Sequence, residues 1–271
     1  MIKVSRSIAL ALGLGLASGA ASAFVQPFGV DPGAIGEAEA AFTASYIDFS
    51  YQATVDQGAG VAGVSSFSED GIGFFSTFQH PSLGNPVAGT GLNSSYKLYA
   101  LFSGDGTTTT NLAGGIDGTF STFSLDIFAD VASDTTFTLP SIGGADGSLS
   151  VSSTADDIHV ASSGTLLANN FRVFPGLANG DFDVVVQMTS VATGIGGGEF
   201  FTDPFDLVIA LNVDFNGVNT TLQGFAAPPT AFVDAMITGS GNLSVIPVPS
   251  ILAVFGAGLL GLFSATRKRK A

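Results

Sequence analysis

Residues 122–127 read TFSLDI, and this short segment decides the class of fold predicted for the chain of 271 residues. Apolar and polar residues alternate along it with a period of two: Phe123, Leu125 and Ile127 against Thr122, Ser124 and Asp126. Successive side chains of a β-strand point to opposite faces, so this period is typical of a strand with one buried face. A helix would instead place apolar residues three or four positions apart. The segment therefore predicts a β-strand.

Other segments predict strands as well. The same alternation recurs at 207–215, residues 183–188 form a β-branched run, and residues 96–102 form a further predicted strand. Turn residues follow the segments 96–102 and 207–215, at 103–106 and at 216–217. Glycine, serine, threonine and aspartate are abundant while lysine, arginine and glutamate are scarce, which disfavours helices. We expect residues 24–244 to form an all-β domain, an antiparallel, jelly-roll-like β-sandwich.

The charge of the chain is unevenly distributed. The formal net charge is −14, but six of the eight basic residues lie near the two ends. Between Arg6 and Arg267, Lys97 and Arg172 face all 22 acidic residues, which is a formal charge of −20. Such a field repels nucleic acid and anionic membrane surfaces and favours cations and neutral polymers. The chain has no cysteine, which excludes disulfides, thiolate zinc sites and cysteine nucleophiles.

Residues 1–23 predict a secretory signal peptide. Lys3 and Arg6 supply a basic start, residues 8–16 form a short apolar core, and Ala21 and Ala23 frame an A-x-A cleavage signal. The alternative is an N-terminal membrane helix, for which the apolar run is short. We expect cleavage after Ala23 and export of the body.

Residues 245–271 read VIPVPSILAVFGAGLLGLFSATRKRKA. The uncharged run at 248–266 is long enough to cross a bilayer as a helix, and the basic residues after it would stay on the cytoplasmic side. Pro247 and Pro249 would end any helix that continued from the body. One interpretation of this segment is a plain membrane anchor.

The same tail resembles the sorting segment of PEP-CTERM proteins. The resemblance lies in the motif Pro247-Val248-Pro249, in Gly258 and Gly261 of the apolar run, and in the terminal basic cluster of Arg267, Lys268, Arg269 and Lys270. The middle residue of the family motif is usually Glu, and here it is Val248. The resemblance implies that an exosortase-type membrane enzyme cuts near the motif, so that the inner membrane holds only the precursor.

Residues 90–170 resemble the flocculation-associated PEP-CTERM proteins. The similar segments are at 91–102, at 123–137 and at 156–164, in this order and spacing. The resemblance implies secretion by a Gram-negative bacterium that makes exopolysaccharide, and a part in floc or biofilm formation. It supplies no catalytic residues. We therefore expect an exported, non-enzymatic protein of the cell surface or extracellular matrix, whose partners are an exosortase-like enzyme and extracellular polysaccharide.

An alternative function is a secreted calcium- or glycan-binding β-domain, anchored by its C-terminal helix. Calcium takes six to eight oxygen ligands from carboxylates and loop carbonyls. The candidate ligands are Asp130, Asp134, Asp156 and Asp157. Asp-Gly pairs at 70–71, 105–106, 117–118 and 146–147 could add donors, but such pairs are also typical of hairpin turns, which is the interpretation we prefer.

Catalytic patterns are sparse in this sequence. The two histidines, His80 and His159, are not accompanied by a G-x-S-x-G motif. The carboxylate pairs 126/130, 181/183 and 203/206 are of the kind that a glycosidase uses. The chain has no tryptophan and only four tyrosines, which argues against a cleft that stacks on sugars. We expect no enzymatic activity and, apart from the calcium alternative, no cofactor.

Overall fold

The computed structural model describes residues 25–58, 63–80, 84–110, 115–138, 149–174, 179–195, 198–202, 208–218 and 233–246. Apart from Val25 and Ile246, these residues belong to one compact unit that spans residues 26–245. Its regular structure, within the described ranges, is a set of strands and one 3-10 helix, Pro32–Ile35. The strands are β1 (Phe28–Val30), β2 (Phe42–Ala44), β3 (Tyr46–Gln57), β4 (Val64–Gln79), β5 (Lys97–Thr110), β6 (Ile116–Asp130), β7 (Thr136–Thr138), β8 (Ser150–Ser152), β9 (Ile158–Val173), β10 (Gly180–Ser190), β11 (Phe201–Thr202), β12 (Val208–Val218) and β13 (Val233–Ile246).

Eight strands form a closed barrel in the order β3-β4-β5-β6-β9-β10-β12-β13, and β13 returns to pair with β3. Each of the eight therefore lies beside the next barrel strand along the chain, which is an up-and-down arrangement. The closing antiparallel pair runs from Tyr46 opposite Ser244 to Gln57 opposite Val233. Closure gives the sheet one inner face, so inward and outward residues alternate along the strands.

The all-β, antiparallel prediction is confirmed, and the predicted sandwich is not. A sandwich consists of two sheets with separate edges, whereas here the first and last long strands pair with each other over twelve residues. The alternation in 122–127 is also confirmed, because Phe123, Leu125 and Ile127 are buried while Thr122 and Ser124 are exposed. That alternation reports one buried face per strand, which a sandwich and a barrel share, so it could not distinguish the two.

Phenylalanine rings fill the inside of the barrel, and glycines of the wall make room for them. The ring centroids of Phe67 and Phe120 lie 5.2 Å apart. A Cβ atom built on Gly71 would lie 2.7 Å from Cε1 of Phe102, and one built on Gly106 would lie 2.5 Å from Cε1 of Phe67. An eight-stranded barrel has an interior just wide enough for side chains. The rings therefore pack against bare glycine backbone rather than against further side chains.

Three Asp-Gly pairs that predicted hairpin turns lie inside strands instead, at 70–71 in β4, 105–106 in β5 and 117–118 in β6. In each pair the glycine is buried on the inner face and the aspartate points outward. Consequently β5 continues through the predicted turn at 103–106 as far as Thr110. The turn prediction was wrong because these positions need a residue without a side chain, which leaves room inside the barrel. They do not need a residue that adopts a turn conformation. The pair at 146–147 lies outside the described residues.

Shorter elements extend the core beyond the barrel. β11, β1 and β2 form a three-stranded sheet, and β7 pairs with β8. Phe28 of β1 contacts Phe201 of β11 edge to face with ring centroids 6.1 Å apart, and both belong to the same buried cluster as the barrel interior. The 3-10 helix begins where Asp31 Oδ1 accepts a hydrogen bond from the Gly33 N–H at 3.0 Å, and it ends at Gly36 with φ of 87°.

The barrel wall is locally irregular between β6 and β9. Backbone pairing is interrupted between residues 118 and 126 of β6. Side chains of β9 take over there: the Asn169 carboxamide accepts from the Phe120 N–H at 2.5 Å and donates to the Phe120 carbonyl at 3.0 Å. Ser163 Oγ accepts from the Leu125 N–H at 2.7 Å. Side chains of β9 therefore take the hydrogen bonds of the β6 backbone groups where the two backbones separate.

The predicted signal peptide and nearly all of the predicted sorting tail lie outside the described residues, as do the segments that would show their cleavage or membrane insertion. Within the described part of the chain, no helix is both long enough and apolar enough to span a bilayer. The domain boundaries after residues 23 and 244 remain predictions.

Candidate functional site

Three of the four predicted calcium ligands lie together near the end of β6. One carboxylate oxygen each from Asp130, Asp134 and Asp156 lies within 4.8 Å of the other two. Asp130 is the last residue of β6 and is only 1% exposed, Asp134 is exposed in the loop that follows, and Asp156 precedes β9. The antiparallel pairing of β6 with β9 brings these two loops to the same end of the barrel.

Backbone N–H groups position two of these carboxylates. Asp130 accepts hydrogen bonds from the N–H groups of Asp134 and Thr135, both at 3.2 Å. Asp156 accepts from the Ala132 N–H at 2.9 Å. These bonds fold the loop after β6, so the cluster has a structural role of its own. A carboxylate has about four lone-pair sites, which leaves acceptor capacity for a cation.

The fourth predicted ligand, Asp157, has other partners. It accepts from the Tyr99 hydroxyl at 2.5 Å and from Thr135 Oγ1 at 2.8 Å. Burial raises the pKa of the Asp157 carboxyl, the hydrogen bonds from Tyr99 and Thr135 oppose this, and the charges of Asp130 and Asp156 add to the rise. Burial and the bond to Asp157 also raise the pKa of Tyr99. Asp157 therefore ties β5 to the loops and is not part of the three-carboxylate cluster.

A polar groove of about 530 Å³ lies on the outer face of the barrel. Its polar lining comes from β3, β4, β10 and β13: Asp48, Ser50, Ser76, Asp181, Asp183, Ser240 and Asn242. Ser50 lies opposite Ser240 and Asp48 lies opposite Asn242 in the pairing of β3 with β13. Barrel closure therefore builds this groove from both ends of the domain.

The groove contains one of the carboxylate pairs considered from the sequence, Asp181 and Asp183, which point outward from β10. Asp181 Oδ1 is buried and has no hydrogen-bond partner among the described residues. Arg172 lies opposite Asp181 on β9, but its Nε lies 3.6 Å from Asp117 Oδ1. None of the described residues that line the groove is basic. The pair 203/206 lies outside the described residues.

A buried acid that the sequence analysis missed lies inside the barrel. Glu69 of β4 is 2% exposed, and neither carboxylate oxygen has a hydrogen-bond partner among the described residues. Burial, and then the charge of Asp70, raise the pKa of Glu69 to about 8. Burial and the charge of Glu69 raise the pKa of Tyr51, whose hydroxyl is also buried without a partner in the described structure. Glu69 shares its inward position with Phe67 and Gly71, so the alternation of β4 could have revealed it.

His159 forms a partly exposed pair with Asp126. Its Nε2 lies 3.1 Å from Asp126 Oδ1, and the side chains are 38% and 45% exposed. The imidazole stacks on Phe128 with ring centroids 4.9 Å apart. Asp130, considered with Asp126 as a carboxylate pair, is buried in the loop cluster instead. Exposed pairs of this kind contribute little to stability.

The predicted cleavage and sorting residues are not placed, because they lie outside the described part of the chain: Ala21, Ala23, Pro247, Val248, Pro249, Gly258, Gly261, Arg267, Lys268, Arg269 and Lys270. Comparisons of the chain with models of protein families, with curated proteins and with solved structures gave no match.

Proposed function

We propose that this chain is an exported, non-enzymatic protein of the cell surface or extracellular matrix of a Gram-negative bacterium, and that it associates with extracellular polysaccharide in flocs or biofilms. Residues 1–23 direct export. Residues 245–271 hold the precursor in the inner membrane until an exosortase-type enzyme processes it. The proposal is supported by the resemblance of the sequence and by one structural observation, the polar outer face of β4, β5 and β6.

This outer face carries short polar side chains in register. Three adjacent rows across the strands are polar throughout: Ser66-Thr107-Thr119, Ser68-Asp105-Thr122 and Asp70-Ser103-Ser124. The Oγ atoms of Ser103 and Ser124 lie 2.7 Å apart. Short side chains lose little rotamer entropy when a ligand orders them. Each hydrogen bond to a sugar hydroxyl is weak, and repeated display on a cell or matrix multiplies such bonds through avidity.

The experiment uses a chain of residues 24–246, which contains the closed barrel and its core. This chain should co-sediment with the polysaccharide of the producing strain, and deletion of the gene should disperse flocs while polysaccharide synthesis continues. Replacing Thr119 and Ser124 with glutamate should weaken binding. The new carboxylates are costly to desolvate, and their longer side chains cover the polar rows. The matched control places glutamate at Gln187 and Thr189, which point outward from β10.

Two outcomes would count against this function. One is a purified body that neither binds the polysaccharide nor restores clumping to the deletion strain. The other is hydrolysis of the polysaccharide by the purified body, lost when Asp181 and Asp183 are replaced with asparagine, which would make the protein an enzyme.

The second candidate function is a calcium-binding domain anchored by the C-terminal helix, and the convergence of Asp130, Asp134 and Asp156 favours it. Millimolar Ca²⁺ should then raise the melting temperature more than Na⁺ at matched ionic strength, since a ligand of the native state alone stabilises it and Na⁺ only screens repulsion. The substitutions Asp134→Asn and Asp156→Asn together should remove the part of the melting-temperature shift that is specific to calcium. Equal shifts with both salts would leave these aspartates with a structural role only.

A further inference from the structure

A glutamine and a threonine are joined across the inside of the barrel. Gln57, the last residue of β3, donates a hydrogen bond from Nε2 to Oγ1 of Thr108 on β5 at 2.8 Å, and both side chains are buried. Strand β4 lies between β3 and β5, with Phe67 opposite Gln57 and Ser65 opposite Thr108. The contact therefore connects two strands that are not paired with each other.

The threonine hydroxyl is oriented for attack on the carboxamide. Its hydrogen points to the Ser65 carbonyl, to which Oγ1 donates at 3.4 Å, so its lone pairs are left for Gln57. The carboxamide carbon Cδ is joined to Nε2 by a bond of about 1.33 Å, so it lies within about 4.1 Å of Oγ1. A rotation of the carboxamide brings Cδ to the distance of about 3–3.5 Å at which a nucleophile reacts.

Near this pair, two polar groups are buried without a hydrogen-bond partner among the described residues: Oε1 of Gln57 and the carboxyl group of Glu69. Glu69 lies on the inner face of β4, two residues and therefore about 7 Å along the strand from Phe67. Burial, and then the charge of Asp70, raise the pKa of Glu69 to about 8, so its carboxyl is protonated at neutral pH. Gln57 thus has an acceptor that lacks a donor, and Glu69 has a donor that lacks an acceptor. Hydrogen bonds between reacting groups are often long before the reaction and shorten during it.

We infer that Thr108 and Gln57 form an ester cross-link between β3 and β5, with the Glu69 carboxyl as hydrogen-bond donor to the reacting carboxamide. Oγ1 of Thr108 attacks Cδ of Gln57, the Oγ1–Cδ bond forms and the Cδ–Nε2 bond breaks. The hydroxyl proton passes to the departing nitrogen, which leaves as ammonia, and Oε1 remains as the ester carbonyl oxygen. Glu69 stabilises the negative charge that develops on Oε1 and keeps its own proton. The step needs no oxidant and no further reactant.

The interior of the barrel favours this reaction. Groups held in reactive geometry behave as if one of them were present at about 10⁵–10⁸ M, and the paired strands fix the positions of both residues. Burial keeps away the water that would compete as nucleophile and hydrolyse the ester. The chain has no cysteine, so an ester would be its covalent counterpart of a disulfide, closing a loop between residues 51 positions apart.

Intact mass spectrometry of the chain of residues 24–246 tests the cross-link. After the folded chain is incubated at neutral pH, its mass should be lower than the mass calculated from the sequence by one ammonia molecule. Digestion should give a branched peptide that joins the segment with Gln57 to the segment with Thr108. Mild alkali on the unfolded chain should add one water molecule and separate the two segments, because it hydrolyses esters. A folded chain with the full calculated mass and no branched peptide would overturn the inference.

Paired variants locate the reacting groups. Thr108→Val removes the nucleophile and Gln57→Leu removes the carboxamide, so each should keep its full calculated mass. Thr107→Val removes the hydroxyl of the exposed neighbour and is the matched control, which should lose ammonia as the wild type does. Thr108→Ser keeps a hydroxyl and should also form the branched peptide, and circular dichroism checks that each variant is folded. A branched peptide with Gln57 that persists in Thr108→Val would overturn the assignment.

The rate at which the cross-linked mass appears tests the part assigned to Glu69. Glu69→Leu removes the hydrogen-bond donor and should slow the reaction by about 10²-fold, as the loss of one donor to a developing oxyanion does. Glu69→Gln retains N–H donors and should slow it less. Equal rates in Glu69→Leu and the wild type would overturn the part assigned to Glu69. None of these measurements involves polysaccharide, so a failed cross-link would leave the proposed function in place.

Discussion

Replacing Gly71 with alanine tests whether glycines of the barrel wall exist to receive phenylalanine rings. The new Cβ atom would lie 2.7 Å from Cε1 of Phe102, closer still to Cζ, and 2.8 Å from Cβ of Ala53. Carbon atoms pack at about 3.5–4.0 Å, so the ring or the neighbouring strand must move by about 1 Å. Gly73 is a matched control, since it is also buried in β4 and its Cβ atom would lie 3.7 Å from both Ala100 and Phe49.

The magnitudes follow from how well each methyl group fits. Overpacking a close-packed core costs about 1–3 kcal/mol, and Phe102 has little room because its ring centroid lies 6.1 Å from those of Phe123 and Tyr51. Where the methyl group fits, replacing glycine with alanine stabilises by about 0.4–1 kcal/mol, because the unfolded chain loses freedom. The free energy of unfolding should therefore fall by about 1–3 kcal/mol for Gly71→Ala and rise by up to about 1 kcal/mol for Gly73→Ala.

The assay is urea unfolding of the chain of residues 24–246. The chain has no tryptophan, so far-ultraviolet circular dichroism and the fluorescence of its four tyrosines follow the transition. The midpoints of the two variants should lie on opposite sides of the wild-type midpoint, with similar slopes. Two variants that are equally stable, or a Gly71→Ala variant as stable as wild type, would refute the view that Phe102 occupies the space above a bare backbone.

Three further predictions concern the barrel acid, the β6–β9 irregularity and the tail. The pKa of Glu69 is raised from 4.5 to about 8 in the folded barrel. The free energy of unfolding is therefore highest below pH 4.5, where this carboxyl is protonated in both the folded and the unfolded state. It should fall by about 5 kcal/mol in total as the pH rises to about 8. Glu69→Gln should flatten this pH dependence and stabilise the barrel at pH 8, and equal pH slopes in the two proteins would contradict it. Asn169→Ala should cost about 1–3 kcal/mol of unfolding free energy because it leaves the N–H and carbonyl of Phe120 unpaired, whereas Asn170→Ala at the exposed neighbour should cost little; equal losses in chemical denaturation would contradict it. Serine at all four positions of 267–270 should leave an unprocessed or misoriented precursor, and mass spectrometry that finds an intact tail on the mature wild-type protein would favour a plain anchor.

Local patterns were sufficient to predict strands and insufficient to predict how the strands close. The alternation at 122–127 and the run at 183–188 both fall inside observed strands, β6 and β10. The pairing of Tyr46 with Ser244 closes the barrel. Neither the segment around Tyr46 nor the segment around Ser244 carries a pattern that predicts this pairing. The reason for glycine at positions 71 and 106 lies in Phe102 and Phe67, which belong to other strands, so the Asp-Gly pairs alone predict turns.

The candidate sites were predictable to different degrees. The sequence predicts Asp130, Asp134 and Asp156 as oxygen donors for calcium, and the pairing of β6 with β9 brings them together. Glu69 was predictable from its inward position in β4 but was overlooked. The groove could not be predicted, because Asp48 and Asn242 become neighbours only through barrel closure. A pattern local to one strand carries no information about such a neighbour.

The pairing of β3 with β13 also governs when the protein can fold. Tyr46 and Ser244 lie 198 positions apart in the sequence, so this contact has one of the longest loop closures the domain could contain. Non-local strand pairing makes folding slow, since the entropy of closing the loop is lost before the contact forms. For the exported protein that we propose, a late-closing barrel is an advantage: the chain remains unfolded and competent for translocation while it is synthesised. If the chain is exported as we propose, the barrel can be completed only after β13, which ends directly before the Pro-x-Pro motif, has crossed the membrane. The translocation of β13, the last barrel strand, would thus determine when folding can be completed.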